Sequence, residues 1–202
     1  MYQLQDKGIN EIEIKKSKFI TYGFVIKDSN KIKEIIDDIR IQHPEARHVC
    51  SAFKIGDNNG YDDDGEPSKT AGFPMLEVIR LKEVDNILVV CVRYFGGIKL
   101  GSGGLIRAYA NSCSELINKI GIAGLISAYN LEIRAHIRFT DKIRHLISCY
   151  HTNIISERIT NEYYVNVEIV SEKSEEFRAQ LINLDHEIQI NELGKTTIID
   201  KL

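Results

Sequence analysis

Apolar residues recur along the first 120 positions with two periods, one typical of strands and one typical of helices. Alternating or continuous apolar runs predict strands over 17–27, 46–55 and 87–95. Apolar residues spaced three and four apart predict helices over 29–42, 69–82 and 103–120. The run ILVVCV, residues 87–92, is apolar at every position, so this strand should be covered on both faces.

A new pattern begins after GIAGLIS, residues 121–127, whose glycines suggest a helix stop and a junction. Residues 129–139 alternate apolar and polar positions, which predicts a strand. A helix, two strands, a second helix with Phe177 on its apolar face and a last strand near Ile188 follow. The order βαββαβ over roughly 65 residues or more is that of a ferredoxin-like unit. We therefore expect an α+β protein of two domains, residues 1–124 and 125–202.

Polar residues precede three of these helices and are expected to cap them. Ser29, Thr70 and Thr140 each stand at a predicted helix start. Pro74 is tolerated because it falls near the first turn of its helix.

Composition restricts the class of protein. With 43% apolar and 27% charged residues, the chain resembles an ordinary globular protein, and its longest apolar run is far too short to span a bilayer. The N-terminus lacks the apolar core of a signal peptide, and the four cysteines form no CxxC pair. We expect a cytoplasmic protein without a membrane partner, in which Cys91, Cys113 and Cys149 belong to the core.

Charge is distributed unevenly although the formal net charge is only −3. Between residues 80 and 107 five basic residues face two acidic ones, a local charge of +3. Residues 57–66 carry five acidic residues and no Lys or Arg. Any polyanion would therefore have to be bound by a local basic patch, and an acidic loop lies just before that patch in sequence.

The stretch YFGGIKLGSGGLIRAY, residues 94–109, connects the buried strand to the third helix through a glycine-rich loop. Its glycines are Gly96, Gly97, Gly101, Gly103 and Gly104. Glycine permits a close approach to the backbone, and a helix N-terminus offers unpaired N–H groups, so an anion would fit here. Arg107, one turn into the helix, and Arg93, on the strand, could both reach it. Alternatively, the glycines serve only tight turns and packing.

The acidic loop YDDDGEPSKTAGFP, residues 61–74, allows three interpretations. Asp63, Asp64 and Glu66 could bind a hard cation such as magnesium, or the loop could simply be solvated. We favour a third, in which the loop folds back onto Arg93 or Arg107 as a counter-charge. No resident cofactor is expected, with magnesium the one ion that remains possible.

His48 and Cys50 lie two apart on a predicted strand and therefore point to the same face. They could form half of a metal site or a nucleophile pair, but no second pair stands at ligand spacing. We expect Cys50 to be a buried apolar residue and His48 to line a site.

Four segments together resemble the YigZ/IMPACT family in order and spacing. They are SKFI (17–20), HPEARHVCSAF (43–53), DDGEPSKTAG (63–72) and RYFGGIKLGSGGLIRAY (93–109). The resemblance implies an N-terminal domain with the fold of the second domain of a small-subunit ribosomal protein, and a C-terminal domain similar to the last domain of elongation factor G. Eukaryotic relatives look like translation regulators. Lys69 departs from the family, which commonly has a small residue, usually glycine, at this position.

The resemblance, with the residue chemistry, implies a set of binding residues and no catalytic residue. The set is His48, Asp63, Asp64, Gly65, Glu66, Thr70, Arg93, Gly96, Gly97, Lys99, Gly101, Gly103, Gly104 and Arg107. We expect a non-enzymatic regulator or accessory factor of translation that binds RNA, the ribosome or another polyanion through the glycine-rich loop. The alternatives are a magnesium-dependent phosphate- or nucleotide-binding enzyme and a purely protein-binding regulator.

Overall fold

The computed structural model describes residues 1–199 and divides into two compact units, Met1–Gly124 and a second that begins at Leu125. Both units combine an antiparallel sheet with helices. The predicted α+β class is thus confirmed.

The first unit contains six strands and three helices. The strands are β1 (Tyr2–Leu4), β2 (Gly8–Ile14), β3 (Ser17–Val25), β4 (His48–Ile55), β5 (Asn58–Asp62) and β6 (Ile87–Tyr94). The helices are α1 (Ile32–Gln42), α2 (Gly72–Leu81) and α3 (Ser102–Ile120). Five of the strands form an antiparallel sheet in the order β2-β3-β6-β4-β5, so the most apolar strand, β6, is central.

Both faces of β6 are buried, as the continuous apolar run predicts. Cys91 on one face packs in a cluster with Phe19, α2 and α3, and Val90 on the other packs with Ile39 of α1. The sheet is therefore a middle layer, and the loops that leave its strands position the candidate site.

The second unit has the βαββαβ order that the sequence predicts. Its elements are β7 (Ile122–Ala135), α4 (Thr140–Cys149), β8 (Asn153–Ile159), β9 (Tyr163–Val170), α5 (Ser171–Leu184) and β10 (Gln189–Ile199). The strand order is β10-β7-β9-β8 with antiparallel neighbours. One core holds the inward residues of β7 and β9 together with Phe177 of α5. The first three residues of β7, in the first unit, pair with β1.

Three local predictions are wrong. In GIAGLIS the helix stop is confirmed, because Gly121 caps the end of α3 with φ 82°, but the turn expected at Gly124 is absent, since β7 begins at Ile122 and runs through it. Residues 137–139 form a 3-10 turn instead of strand, with His136 accepting a hydrogen bond from the Arg138 amide. The polar segment after β4 pairs back as β5, although its composition is that of a loop.

The predicted caps are also wrong. Asp28, not Ser29, accepts the amide of Asn30 at the turn before α1. Thr70 and Thr140 instead donate their hydroxyls to the carbonyls of Pro67 and Ile137. A hydroxyl can bond backward to a carbonyl as easily as forward to an amide, so the path of the preceding loop decides.

Two final predictions concern the membrane and the cysteines. Among residues 1–199, each helix is either too short or too polar to serve as a membrane span. Cys50, Cys91 and Cys113 are buried, and burial raises the pKa of Cys91 to about 12. Cys149 is exposed, contrary to prediction, because it occupies the solvent side of the last turn of α4.

Candidate functional site

Asp63 organises the acidic loop through its own carboxylate. One oxygen accepts the amides of Ala71 (3.0 Å) and Gly72 (2.8 Å), and the other accepts the amide of Lys69 (2.6 Å). Ala71 and Gly72 are the cap and first residue of α2, so Asp63 supplies the cap that the sequence assigns to Thr70. A carboxylate at this helix end is also favoured by the helix dipole.

Asp64 joins the loop to β4 and α1. Its carboxylate accepts the Val49 amide at 2.6 Å and the Arg40 guanidinium at 2.9 Å. The backbone of Asp64 has φ 40° and that of Gly65 has φ 79°, so two consecutive residues adopt left-handed conformations. The loop is therefore ordered by side-chain bonds to backbone amides, and it is not a loosely solvated segment.

Lys69 occupies a third left-handed position, with φ 61°. This conformation favours glycine, in agreement with the residue that the resemblance implies at this position. The chain tolerates lysine because the amide of Lys69 bonds to Asp63 and its ammonium lies 5.7 Å from the centre of the Phe73 ring.

Glu66 and Arg93 form a buried ion pair. The Arg93 guanidinium donates to the Glu66 carboxylate at 2.5 Å, and Tyr109 of α3 donates its hydroxyl to the same oxygen at 3.0 Å. Glu66 is 8% exposed and Arg93 is 6% exposed. The counter-charge interpretation of the acidic loop is therefore confirmed for Arg93. It is wrong for Arg107, which is exposed and hydrogen-bonds the Gly103 carbonyl instead.

The rest of the Arg93 side chain lies among aromatic rings. Its guanidinium carbon is 5.5 Å from the centre of the Phe19 ring and 5.7 Å from that of Phe95. Its Nε is buried and has no hydrogen-bond partner within the described chain. Because its guanidinium is buried, Arg93 cannot contact a large polyanion bound at the protein surface.

His48 lies beside this pair, directly opposite Arg93 in the β4–β6 register. Its Nδ1 donates to the Asp64 carbonyl at 2.7 Å, since a carbonyl oxygen can only accept. Its Nε2 is 3.9 Å from the Glu66 carboxylate. Cys50 donates to the Asp63 carbonyl and lies 3.5 Å from the Tyr109 hydroxyl, and burial raises the pKa of its thiol far above the ordinary value. Such a thiol is a poor nucleophile.

These contacts leave little room for magnesium in the acidic loop. The oxygens of Asp63 and Asp64 already accept backbone amides or Arg40, and Glu66 accepts Arg93. Across residues 1–199 no group of three or more His, Cys, Asp or Glu side chains stands close enough to hold a metal ion.

The glycines of the connecting loop divide into packed and open positions. A Cβ on Gly96 would lie 2.0 Å from the carbonyl carbon of Lys16, so this glycine permits a close backbone contact with the β2–β3 turn. Gly97 (φ 81°) and Gly101 (φ 71°) adopt left-handed conformations, and a side chain at either of them or at Gly103 would extend into space that no other described part of the chain occupies. The packing interpretation thus holds at Gly96, while the start of α3 is open.

Exposed cations surround that open start. Lys99 and Arg107 lie in the loop and in the second turn of α3. The contact at Gly96 places the β2–β3 turn, with exposed Lys15 and Lys16, against the same loop. None of these four cations is within ion-pair distance of a carboxylate in the described chain. We call Lys15, Lys16, Lys99 and Arg107 the basic surface.

The structure therefore places most of the fourteen predicted residues in two groups. His48, Asp63, Asp64, Glu66 and Arg93 form a largely buried network, whereas Lys99, Arg107, Gly97, Gly101 and Gly103 lie at the basic surface. Gly65 is exposed and Thr70 is buried within the acidic loop, and Gly96 and Gly104 pack against Lys16 and Leu100. Lys15 and Lys16 were missed. Their signal in the sequence is the KK pair between two strand-like segments, which predicts a tight turn carrying two adjacent charges.

Together, the two units define a class: a two-domain α+β protein whose first sheet is joined to its third helix by a glycine-rich loop with a basic rim. A family model described as the Impact N-terminal domain matches residues 15–117. An IMPACT family member of Haemophilus influenzae is 32% identical over 92% of this chain and 94% of its own length. The chain therefore belongs to the IMPACT family.

Further relatives agree with this assignment. IMPACT family member YvyE of Bacillus subtilis is 47% identical over 60% of this chain, and the matched part spans 57% of that relative. IMPACT family member YigZ of Escherichia coli is 42% identical over 54% of this chain and 55% of its own length. A crystal structure described as that of a hypothetical protein superposes with a TM-score of 0.67 over 96% of this chain, at 29% identity.

Proposed function

We propose that this protein is a non-enzymatic accessory factor of translation whose first unit binds RNA through the basic surface. The observation that carries the proposal is the set of four exposed cations around the open first turn of α3, none of which pairs with a carboxylate of residues 1–199. Phosphates bind readily to helix N-termini and to Lys and Arg side chains, and such contacts supply most of the affinity of non-specific RNA binding. The link to translation rests on the family resemblance alone.

The buried network supports this surface and does not contact the RNA. Glu66 holds Arg93, Tyr109 ties that pair to α3, and Asp63 caps α2. The network fixes the strand and helix that flank the glycine-rich loop, so the spacing of Lys99 and Arg107 is set in the free protein. Two further features favour a binding role over catalysis. The pKa of the Cys50 thiol is strongly raised, and the Asp63 carboxylate is already bonded to backbone amides.

The proposal predicts a steep dependence of RNA affinity on salt. Replacing Lys99 and Arg107 together by alanine should weaken binding to a ribosomal RNA fragment. It should also reduce the slope of log K against log salt by about 1.4, since each contact to a single-stranded phosphate contributes about 0.7. Fluorescence anisotropy across a salt series measures both quantities.

The matched control is Lys27→Ala with Lys33→Ala. Both lysines are exposed and the charge change is the same, but Lys33 lies on α1, across the sheet from α3. This variant should retain the wild-type slope. The proposal is wrong if wild-type protein binds neither the RNA fragment nor ribosomes at low salt.

A further inference from the structure

A groove runs along α3 beside the basic surface. It has a volume of about 660 Å³ and is bordered by the end of β2, by α2 and by one side of α3. Gly104 and Ser114 mark its two ends on α3, which are about 15 Å apart at the rise of an α-helix. The volume falls within the range of about 300 to 1,000 Å³ that is typical of small-ligand sites.

The lining of the groove is apolar with a few polar groups. Ile14, Val78, Leu100 and Ala108 supply much of the apolar wall. Asn111 also lines it and donates its amide N–H to Glu115 at 2.8 Å, which leaves its carbonyl oxygen as an acceptor. This mixture suits a flat aromatic ring with hydrogen-bonding edges, which the apolar wall can cover while a polar group fixes its orientation.

The charge of the groove selects its occupant. Two of its lining residues, Lys15 and Arg107, are basic members of the basic surface, and no Asp or Glu lines it among the described residues. An anionic group is therefore attracted to the rim and an uncharged, apolar body to the wall. A nucleotide combines both, because its phosphate is charged and its base is a flat ring.

We propose that this groove receives an unpaired base of the bound RNA while the adjoining phosphates lie on Lys15 and Arg107. The protein then prefers single-stranded to double-stranded RNA, because a paired base cannot leave its stack without an energetic cost. The inference rests on the proposed function and specifies its substrate class. An acidic amphipathic helix is the competing occupant, but it would bring only aliphatic side chains to the wall and leave Asn111 and Ser114 without a polar partner.

The test fills the groove without changing charge. Ala110 lines the groove and is half-buried, so Ala110→Phe places an aromatic ring in the space that the RNA base would occupy. Affinity for a single-stranded RNA should fall about tenfold, while affinity for a duplex of the same length and the salt slope for that duplex stay unchanged. Ala179→Phe, at an exposed position of α5, makes the same chemical change elsewhere and should alter neither affinity. If Ala110→Phe unfolds the protein, as circular dichroism would reveal, Ser114→Leu fills the same groove with a smaller group.

The outcomes separate the inference from the proposed function. If the wild type binds RNA but Ala110→Phe leaves single-strand affinity intact, or weakens single strand and duplex equally, the groove does not receive a base and the RNA proposal stands. If the wild type binds no RNA at low salt, both fail. Binding of an acidic amphipathic peptide that Ala110→Phe abolishes, with single-stranded RNA unaffected, would assign the groove to a protein partner and overturn the inference.

Discussion

Arg93 carries a positive charge into the interior, where Glu66 neutralises it. Burying two charges costs several kcal/mol in solvation, which the pair recovers only through close geometry and added hydrogen bonds such as that from Tyr109. Removing one partner leaves the other charge buried alone. The residue therefore contributes to stability through its partner, although its sequence context suggests an exposed phosphate ligand.

This residue gives a stability prediction with a close control. Arg93→Met should lower the free energy of unfolding by about 3 to 5 kcal/mol, because Glu66 stays buried without a cation. Arg134 pairs with Glu162 at the same 2.5 Å but its side chain is 43% exposed, so water screens the pair and Arg134→Met should cost far less than Arg93→Met. Urea titrations compare the two. Equal losses would show that burial of the Glu66 pair has no energetic consequence.

At the scale of elements, the segment from the loop after β6 to the start of α3 contains one glycine that is tightly packed and another that faces open space. Gly96 contacts the backbone of Lys16, whereas Gly103, the second residue of α3, faces open space. The same substitution at the two positions should therefore have opposite effects.

Gly96→Ala should destabilise the protein by more than about 2 kcal/mol, because its Cβ meets backbone that cannot turn aside. Gly103→Ala meets no atom and removes the flexibility of a helical glycine, so it should raise stability by about 0.5 to 1 kcal/mol. Thermal unfolding measures both. A stable Gly96→Ala protein would mean that the β2–β3 turn does not pack on this loop as described.

Elements with a strong apolar period could be predicted from the sequence, and irregular segments could not. The helices α1 and α3 and the strand β6 follow from their spacing alone, because burial fixes which side chains face inward. The strand β5 and the loop up to α2 are held by ladder pairing and by carboxylates that accept backbone amides. Ser51 lies eleven residues before its ladder partner Asp62, and Gly72 lies nine residues after Asp63, so no short-range pattern specifies these partners. The sequence favours pairing of the acidic loop with Arg93 or Arg107, but it does not choose between the two arginines or name Glu66 as the partner.

For the whole molecule, charge is divided between the two units. Residues 1–124 contain seventeen basic and seventeen acidic side chains, so the formal charge of −3 belongs to the remaining residues. The basic surface therefore lies in a unit of zero net charge, and its attraction for an anion acts only over short distances. The salt dependence of RNA affinity should therefore report on the few contacts at the basic surface, because added salt screens those contacts and no long-range field of the whole unit.

The stability of the whole molecule should also depend on pH through His43. His43 bridges the hydroxyls of Tyr22 (2.6 Å) and Tyr94 (2.8 Å), and burial first, then the charge of Lys18, lowers its pKa from 6.5. The unfolded chain therefore binds the proton more tightly than the folded one. The free energy of unfolding that His43 contributes is fully present above pH 6.5. It is lost as the pH falls from 6.5 through the lower pKa that His43 has in the folded protein.

In urea titrations at pH 7.5 and pH 5, His43→Gln should show a smaller drop in unfolding free energy than the wild type. His186→Gln, at a side chain that is 90% exposed, should retain the wild-type drop. If the unfolding free energy falls equally in all three proteins between pH 7.5 and pH 5, His43 is not the cause of the pH dependence.

The bonds around Asp64 have a consequence for the chemical lifetime of the protein. In a mobile chain an Asp–Gly dipeptide slowly cyclises to a succinimide when the glycine nitrogen attacks the aspartate carboxyl group, and it reopens largely as isoaspartate. Here Val49 and Arg40 hold the Asp64 carboxylate, and Gly65 is fixed in a left-handed conformation. The same contacts that shape the acidic loop thus hold the carboxyl group on Val49 and Arg40, so cyclisation would first have to break these bonds and should be slower in the folded protein than in a mobile chain.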